Sequence, residues 1–292
     1  SIDPDIPHNA GTFRRIRVHL RENCVVGIPR FPHSCSVATT NVGERLVVTT
    51  QKAFADAWDG YGLAEGSCGI GPGFAVVSGK DWRRNNDPYV NQKFLGSQGG
   101  PAGPEIDGWV TYGNSVTNGL MFRDSVEIDE QKYPIRVQEI RVRQDSEGAG
   151  RRRGAPGFRV AYGPKHDEMR AFYVTDGCHF PPRGVRGGGD AAPSLPYVIH
   201  TNGEIEDLPT IANHDLQAGE LLLHLLSGGG GYGDPLEREV ERVREDVLSQ
   251  FITFERARDV YGVVFTGTEL TDSLQVDAAG TERQRERLRA GR

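Results

Sequence analysis

The sequence predicts an α+β fold, a β-rich domain of many short strands with a C-terminal helical pair. With 38 glycines and 17 prolines in 292 residues, turns are dense enough for many short strands. From residue 134 onward apolar and polar residues alternate, the period of a half-buried strand. After residue 234 the apolar spacing lengthens to that of a helix. The expected divisions are residues 1–133, an α/β portion with long Gly-rich loops; 134–233, the β-rich domain; and 234–292, a helical segment with a charged tail.

Taken in order, residues 13–20 (FRRIRVHL) set Ile16, Val18 and Leu20 against Arg15, Arg17 and His19, and predict a strand. Residues 40–58 place Val42, Leu46, Phe54 and Ala57 at helical intervals, although Gly43 and the Val/Thr run lower the propensity. Residues 60–110 break often, in GPGFAVVSG and LGSQGGPAGPEIDG. They read as short strands between long ordered loops, which are usually functional or rest on a partner. IRVQEIRVR alternates with a phase slip near Glu139, the mark of a β-bulge. FRVAYG (158–163) and MRAFYVT (169–175) read as a hairpin across PKHDE. YVIH (197–200) and IEDLP (205–209) flank Thr201-Asn202-Gly203, where Asn-Gly signals a type I′ turn. GELLLHLLS (219–227) is the last apolar strand. Beyond it Leu236, Val240, Val243, Val247 and Phe251 share one helical face, with Asp234 as cap and Pro235 at the first helical position. A second short helix follows in TFERARDVYG, capped by Thr253 and stopped at Gly262.

The net charge of −6 argues against a nucleic-acid surface. No run of 18 apolar residues marks a membrane span, and no charged-then-apolar leader marks a signal peptide. Cys24, Cys35, Cys68 and Cys178 form no CxxC pair and read as buried thiols of a reducing cytoplasm. The eight histidines include no HxH, HxxxH or HExxH spacing, so a metal site made by this chain alone needs ligands far apart in sequence. Ser1 has the form of an N-terminal nucleophile with its own amine as base, but removal of an initiator Met or cleavage of a longer chain explains it more simply.

Four segments concentrate polar or glycine residues. SGGGGYGD (227–234) lacks the Gly-Lys-Ser/Thr of a phosphate loop, and an aspartate at the helix start repels phosphate. It reads as a tight strand-to-helix turn where backbones approach closely. GAGRRRGAPG (148–157) holds three arginines and reads as a solvated turn in preference to an anion clamp. DPDIPHNAG (3–11) gathers Asp3, Asp5, His8 and Asn9 between stiffening prolines, either as a rigid polar site or as Asx turns. TNGLMFRDSVEIDE (117–130) spaces Asp124 and Glu127 three apart, towards one pocket or as a solvated helix face.

SGGGGYGDPLERE followed by VREDVLSQFITFERARDVYGVV resembles the C-terminal end of the hydantoinase B/5-oxoprolinase family. DIPHNAGTFRRIRV, NVGERL, YPIRVQEIRVRQDSEGAGRRRGAPG, FPPRGVRGGG and NGEIEDLP resemble its blocks in the same order, so the likeness runs from about Asp3 to Val264. The resemblance implies a subunit, or its C-terminal half, of a multi-component enzyme. A hydantoinase-A-like partner binds ATP and Mg and phosphorylates the substrate oxygen, and a metal-assisted site completes hydrolysis of a cyclic amide. Related acetone and acetophenone carboxylases use ATP to carboxylate ketones instead.

In the family the Asp/His metal motifs precede the DIPHNAG block, so the divalent metal is expected mainly on a chain carrying the N-terminal half. The family's H-TNT segment reads SVTNG here (Ser115 to Gly119), with the histidine absent and Asn118 kept. That departure points away from simple hydantoin or oxoproline hydrolysis, towards ketone carboxylation or another amide. The expected site residues are Asp5, His8 and Asn9, reaching a site shared with the N-terminal half; Asn118, orienting the amide or phosphate; and Asp124, a supporting partner or proton acceptor. Cyclic-amide hydrolysis leads, ketone carboxylation is the alternative, and a non-catalytic scaffold subunit is the third reading.

Overall fold

The computed structural model describes residues 9, 11–23, 26–32, 42–66, 69–113 and 121–291. The chain divides into two compact units, Ser1–Val42 and Gly43–Arg292.

In the first unit Thr12–Arg15 form a single 3-10 turn, and residues 16–20 have no regular structure. The strand expected at 13–20 is therefore absent: Ile16, Val18 and Leu20 are 59%, 75% and 55% exposed. A strand needs a neighbour to take its backbone groups, and among the described residues none pairs with this segment.

The second unit opens with helix α1 (Gly43–Ala57), where a helix was expected, but on a different face. Val48, Ala55 and Glu44 are buried, whereas Leu46 and Ala57 are exposed. Among the described residues ten strands then build two antiparallel sheets. The first holds β1 (Gly69–Ile70), β2 (Val76–Asp81), β3 (Asp87–Gln92), β6 (Met169–Thr175) and β9 (Ile211–Leu216). In it β6 is central, pairing β9 along one edge and β2 and the short β1 along the other. The second runs β4 (Ile135–Val142), β5 (Phe158–Pro164), β10 (Leu221–Leu225), β7 (Leu195–Ile199), β8 (Ile205–Asp207). One core lies between the layers: Phe74, Val77, Ala171 and Tyr173 come from the first side and Val160, Tyr162, Val198 and Leu222 from the second. Helix α2 (Val126–Lys132), capped by Ser125, precedes β4.

The bulge expected near Glu139 is present as a register shift between Val137 and Glu139. The hairpin expected between 158–163 and 169–175 is not: β5 pairs with β4 and β10, while β6 belongs to the other sheet. Residues 165–168 turn a corner of the sandwich, so two alternating runs around turn residues are neighbours in sequence without being partners. The β7–β8 hairpin forms, but through a three-residue loop. Gly203 N donates to His200 O and His200 N to Glu204 O, each at 2.9 Å. Only Gly203 has a positive φ (+86°), so this is a type I turn closed by a left-handed glycine, not a type I′ turn.

The single helix expected after residue 234 is two pieces. Asp234 caps a 3-10 turn, Pro235–Glu237, and helix α3 (Val240–Leu248) starts after a break at Arg238 and Glu239. Helix α4 (Phe254–Asp259) is capped by Thr253 as expected, with Gly262 at φ +67° beyond it. The charged tail is a third helix, α5 (Ala278–Ala290), capped by Asp277. Val243, Val247, Ile252, Ala257, Tyr261 and Leu274 give these helices a core of their own, which reaches Ala149. Among the described residues no helix is long and apolar enough to cross a membrane.

Candidate functional site

The four consecutive glycines lie where several Gly-rich segments pack backbone against backbone. A Cβ on Gly229 would sit 1.9 Å from Gly100 O, and one on Gly231 2.0 Å from Ala149 O. No side chain fits such gaps, which is why the run itself is glycine at each of these contacts. The amides are spent here too. Gly229, Gly230 and Gly231 N donate to Ala155, Glu65 and Gly189 carbonyls at 2.9, 2.8 and 3.0 Å. Tyr232 and Gly233 N donate to Arg152 and Val185 at 2.8 and 3.1 Å. A phosphate cradle needs free N–H groups, and this loop offers none between residues 229 and 233.

GAGRRRGAPG is not a solvated turn. Arg153 is buried and its Nε bonds Asp246 at 2.7 Å, with the guanidinium 4.9 Å from the Phe251 ring centre. Asp246 also takes Arg238, itself 1% exposed, at 2.8 Å; Arg238 reaches on to Asp107 with two bonds of 2.7 and 2.9 Å. Burial works against the Arg238 cation, but Asp107 and Asp246 outweigh it and hold its pKa above the usual range. Helix α3 is thereby tied to the loop at Asp107. The three-arginine signal missed this because both carboxylates are remote in sequence.

Beside the glycine contact lies a group of buried polar atoms with no partner. Among the described residues, Ser97 Oγ, Gln98 Oε1, Ser227 Oγ and Arg123 Nη1 make no hydrogen bond. Ser97 and Ser227 are 0% exposed and Gln98 5%. They are neighbours through the backbone: Gly99 N donates to Ser227 O at 2.9 Å, Gln98 bridges Tyr112, and Arg123 Nη2 reaches Tyr112 O at 3.4 Å. The Arg123 guanidinium lies 5.4 Å from the Phe74 ring centre, and burial pushes its pKa down to about 10. Each orphaned group costs about 1–3 kcal/mol, which makes these four the candidate polar positions of this region. A cavity of about 540 Å³ meets this group at Tyr112, walled by Leu63, Ile106 and Trp109, with Gln51 and Asp107 on its lining. Gln51 Oε1 is a further acceptor without a partner among the described residues. The volume and the aromatic, mostly apolar lining suit a small organic molecule.

Asp124 follows Arg123 directly. Its Oδ2 accepts from Phe94 N at 2.9 Å and lies 4.0 Å from Lys93 Nζ. Lys93 is wholly buried, pairs with Asp129 at 2.6 Å and stands 4.0 Å from the Tyr133 ring centre. Burial, opposed by Lys93, leaves the Asp129 pKa raised. Asp124 thus sits in a charged, half-buried setting. Asn9 Oδ1 accepts from Gly11 N at 2.8 Å, and Asn9 O from Thr12 N at 3.1 Å, the Asx turn that starts the 3-10 turn. Asp5, His8 and Asn118 lie outside the described residues. Sequence reading missed Ser97, Gln98, Arg123 and Ser227, although LGSQGGPAGPEIDG stood out as a long Gly-rich loop.

His224 is the other buried polar centre, and its tautomer decides its role. Its Nδ1 accepts from Gly73 N at 3.1 Å, so the ring proton is on Nε2, which donates to Ser194 Oγ at 2.7 Å. Ser194 Oγ stands 3.1 Å from Thr175 Oγ1. A histidine with its proton aimed at the serine cannot take that serine's proton. Burial, with the Arg143 charge second, pushes the His224 pKa down to about 3. Cys178 is free, and burial raises its pKa. Among the described residues no three His, Cys, Asp or Glu side chains are placed to hold a metal ion.

A model of the family described as hydantoinase B/oxoprolinase matches residues 1–235. The chain belongs to that family. It is 31% identical over 284 residues to caprolactamase subunit beta of Pseudomonas jessenii, covering 96% of this chain and 48% of that protein. The solved structure of the ATP-dependent caprolactamase of Pseudomonas jessenii aligns with a TM-score of 0.63 and 29% identity, covering 76% of this chain and 38% of that one. Nucleotide-free acetone carboxylase aligns with a TM-score of 0.62 at 23% identity, covering 74% and 33%, a likeness of fold. The chain spans about half the length of the curated relatives it matches.

Proposed function

We propose that this chain supplies part of the reaction site of a multi-subunit, ATP-dependent hydrolase that opens a cyclic amide. The observation that carries this is the 31% identity to caprolactamase subunit beta across 96% of the chain. The cavity of Leu63, Ile106, Trp109 and Tyr112 supports it with apolar walls for a ring, and Tyr112 links it through the backbone to Gln98 and Arg123, whose side chains offer an acceptor and a donor for an amide group. The net reaction is cyclic amide, ATP and two waters to ring-opened amino acid, ADP and phosphate. ATP and Mg belong on a hydantoinase-A-like partner. The described residues do not fit a divalent metal, which is assigned to the chain region corresponding to the relatives' other half.

In this reading Arg123 Nη1 donates to the amide oxygen, or to the phosphate placed on it, and Gln98 Oε1 accepts from the amide N–H. Asn118 orients the same group, and Asp124 supports Arg123 or accepts a proton. Asp5, His8 and Asn9 of the first unit are proposed to meet the metal-bearing region. Alanine at Asn118 or Asn9 cuts turnover in the assembled complex without unfolding it. Wild-type turnover in both removes those assignments and favours a scaffold role.

Ketone carboxylation is the second reading, favoured by the missing histidine at SVTNG and by the acetone carboxylase fold. ADP release from the purified complex separates the two. With a lactam it proceeds without bicarbonate if the chain serves a hydrolase; release that needs both a ketone and bicarbonate shows a carboxylase.

A further inference from the structure

A cleft lined by three arginines is used by nothing described so far. It lies between the end of β4, β5 and the turn after α3, with a volume of about 600 Å³, and Arg141, Arg143, Arg159, Gln144, Ser249 and Gln250 line it. Arg143 is the unusual member. Its Nη1 donates to the Pro193, Leu226 and Leu225 carbonyls at 2.6, 3.1 and 3.3 Å. Those bonds fix the guanidinium without neutralising it, and among the described residues no carboxylate pairs with it. Arg141 and Arg159 share one carboxylate, Glu139. Three cations therefore face one anion. The carbonyl end of the nine-residue α3 adds roughly half a negative charge, which leaves the cleft positive by more than one charge. Half-buried and uncompensated, Arg143 is held below its ordinary pKa by desolvation. A fixed guanidinium with a free edge, flanked by two more and by amide and hydroxyl donors, is the usual geometry for capturing an oxyanion.

We propose that this cleft binds a small oxyanion of the phosphate class, with Arg143 as the anchor and Arg141 and Arg159 closing on it. The site stands apart from the reading of the reaction given above and survives if that reading fails. Phosphate, rather than a carboxylate, matches the excess of more than one positive charge.

Calorimetric titration of inorganic phosphate into the chain at low ionic strength, with acetate as the second probe, tests this. Phosphate binds at one site, and acetate at equal concentration does not displace it. Arg141→Gln, at a side chain 65% exposed and therefore safe for folding, weakens phosphate about tenfold. Arg143→Gln, which also gives up three carbonyl contacts, abolishes binding; a thermal unfolding scan establishes that this variant is folded. Absence of phosphate binding, or binding unchanged in Arg141→Gln, overturns the site. Acetate binding as tightly as phosphate overturns the phosphate class.

Discussion

Gly229→Ala tests the claim that the glycine run is a packing device. The added Cβ would lie 1.9 Å from Gly100 O and 2.3 Å from Gly100 C. Ordinary contact starts at 3.4 Å, so the two segments must part by about 1.5 Å. Neither side yields easily. Gly229 donates to Ala155 at 2.9 Å and accepts from Gly148 at 2.8 Å, and Gly100 O accepts from Ala155 N at 2.9 Å. Overpacking against movable side chains costs about 1–3 kcal/mol. Here backbone must move, and a buried hydrogen bond is stretched at a further cost of about 1–3 kcal/mol. The predicted loss is therefore about 3 kcal/mol or more. Gly267→Ala, with nothing within 4 Å of its added Cβ, is the control and stays within about 0.5 kcal/mol of the parent. Urea denaturation reads both from the midpoint and slope. If Gly229→Ala also stays within about 0.5 kcal/mol, the close packing is wrong, and the run is free for another role.

Asp246→Ala leaves Arg153 and Arg238 buried beside each other without their shared carboxylate, and costs about 3–5 kcal/mol in the same assay; a loss under about 1 kcal/mol contradicts the network. His200 bonds Glu220 at 2.7 Å and Glu206 at 3.0 Å, and these bonds raise its pKa above 6.5. The folded state therefore holds the proton more tightly, so this contribution is complete below pH 6.5 and fades as pH rises through the raised value. His200→Gln flattens that fall, and an unchanged stability profile refutes the coupling. His224 is predicted to stay neutral with its proton on Nε2 until about pH 3, which nitrogen-15 NMR reads directly; a proton on Nδ1 reopens a catalytic role for Ser194. Arg123→Gln in the assembled complex lowers kcat/KM about tenfold or more with the fold intact, and Arg123→Lys restores part of it; unchanged kinetics removes Arg123 from the site.

Elements whose signals are local were legible in the sequence: the caps at Asp234 and Thr253, the bulge at Glu139, the left-handed Gly262 and the alternation of β4, β6 and β7. Partnership was not. The segments 158–163 and 169–175 are adjacent in the chain yet belong to different layers, because pairing depends on which strands bury which faces. Alternation at Ile16, Val18 and Leu20 had no strand to act on. The same holds for the arginines, where Arg153 found its carboxylate 93 residues away. At the candidate site the family blocks and the Gly-rich loop were visible, and Asp124 was named. Ser97, Gln98 and Ser227 carry ordinary side chains on glycine-flanked backbone, and only burial without partners distinguishes them.

The central claim is a ring-opening hydrolysis coupled to ATP in which this chain takes part. The direct measurement is the ratio of ADP to ring-opened amino acid formed by the complex purified with this chain, with a lactam as substrate and no bicarbonate. The account predicts a ratio near one, and loss of both products when the chain is left out. ADP without ring opening, or ring opening undiminished when the chain is absent, contradicts it.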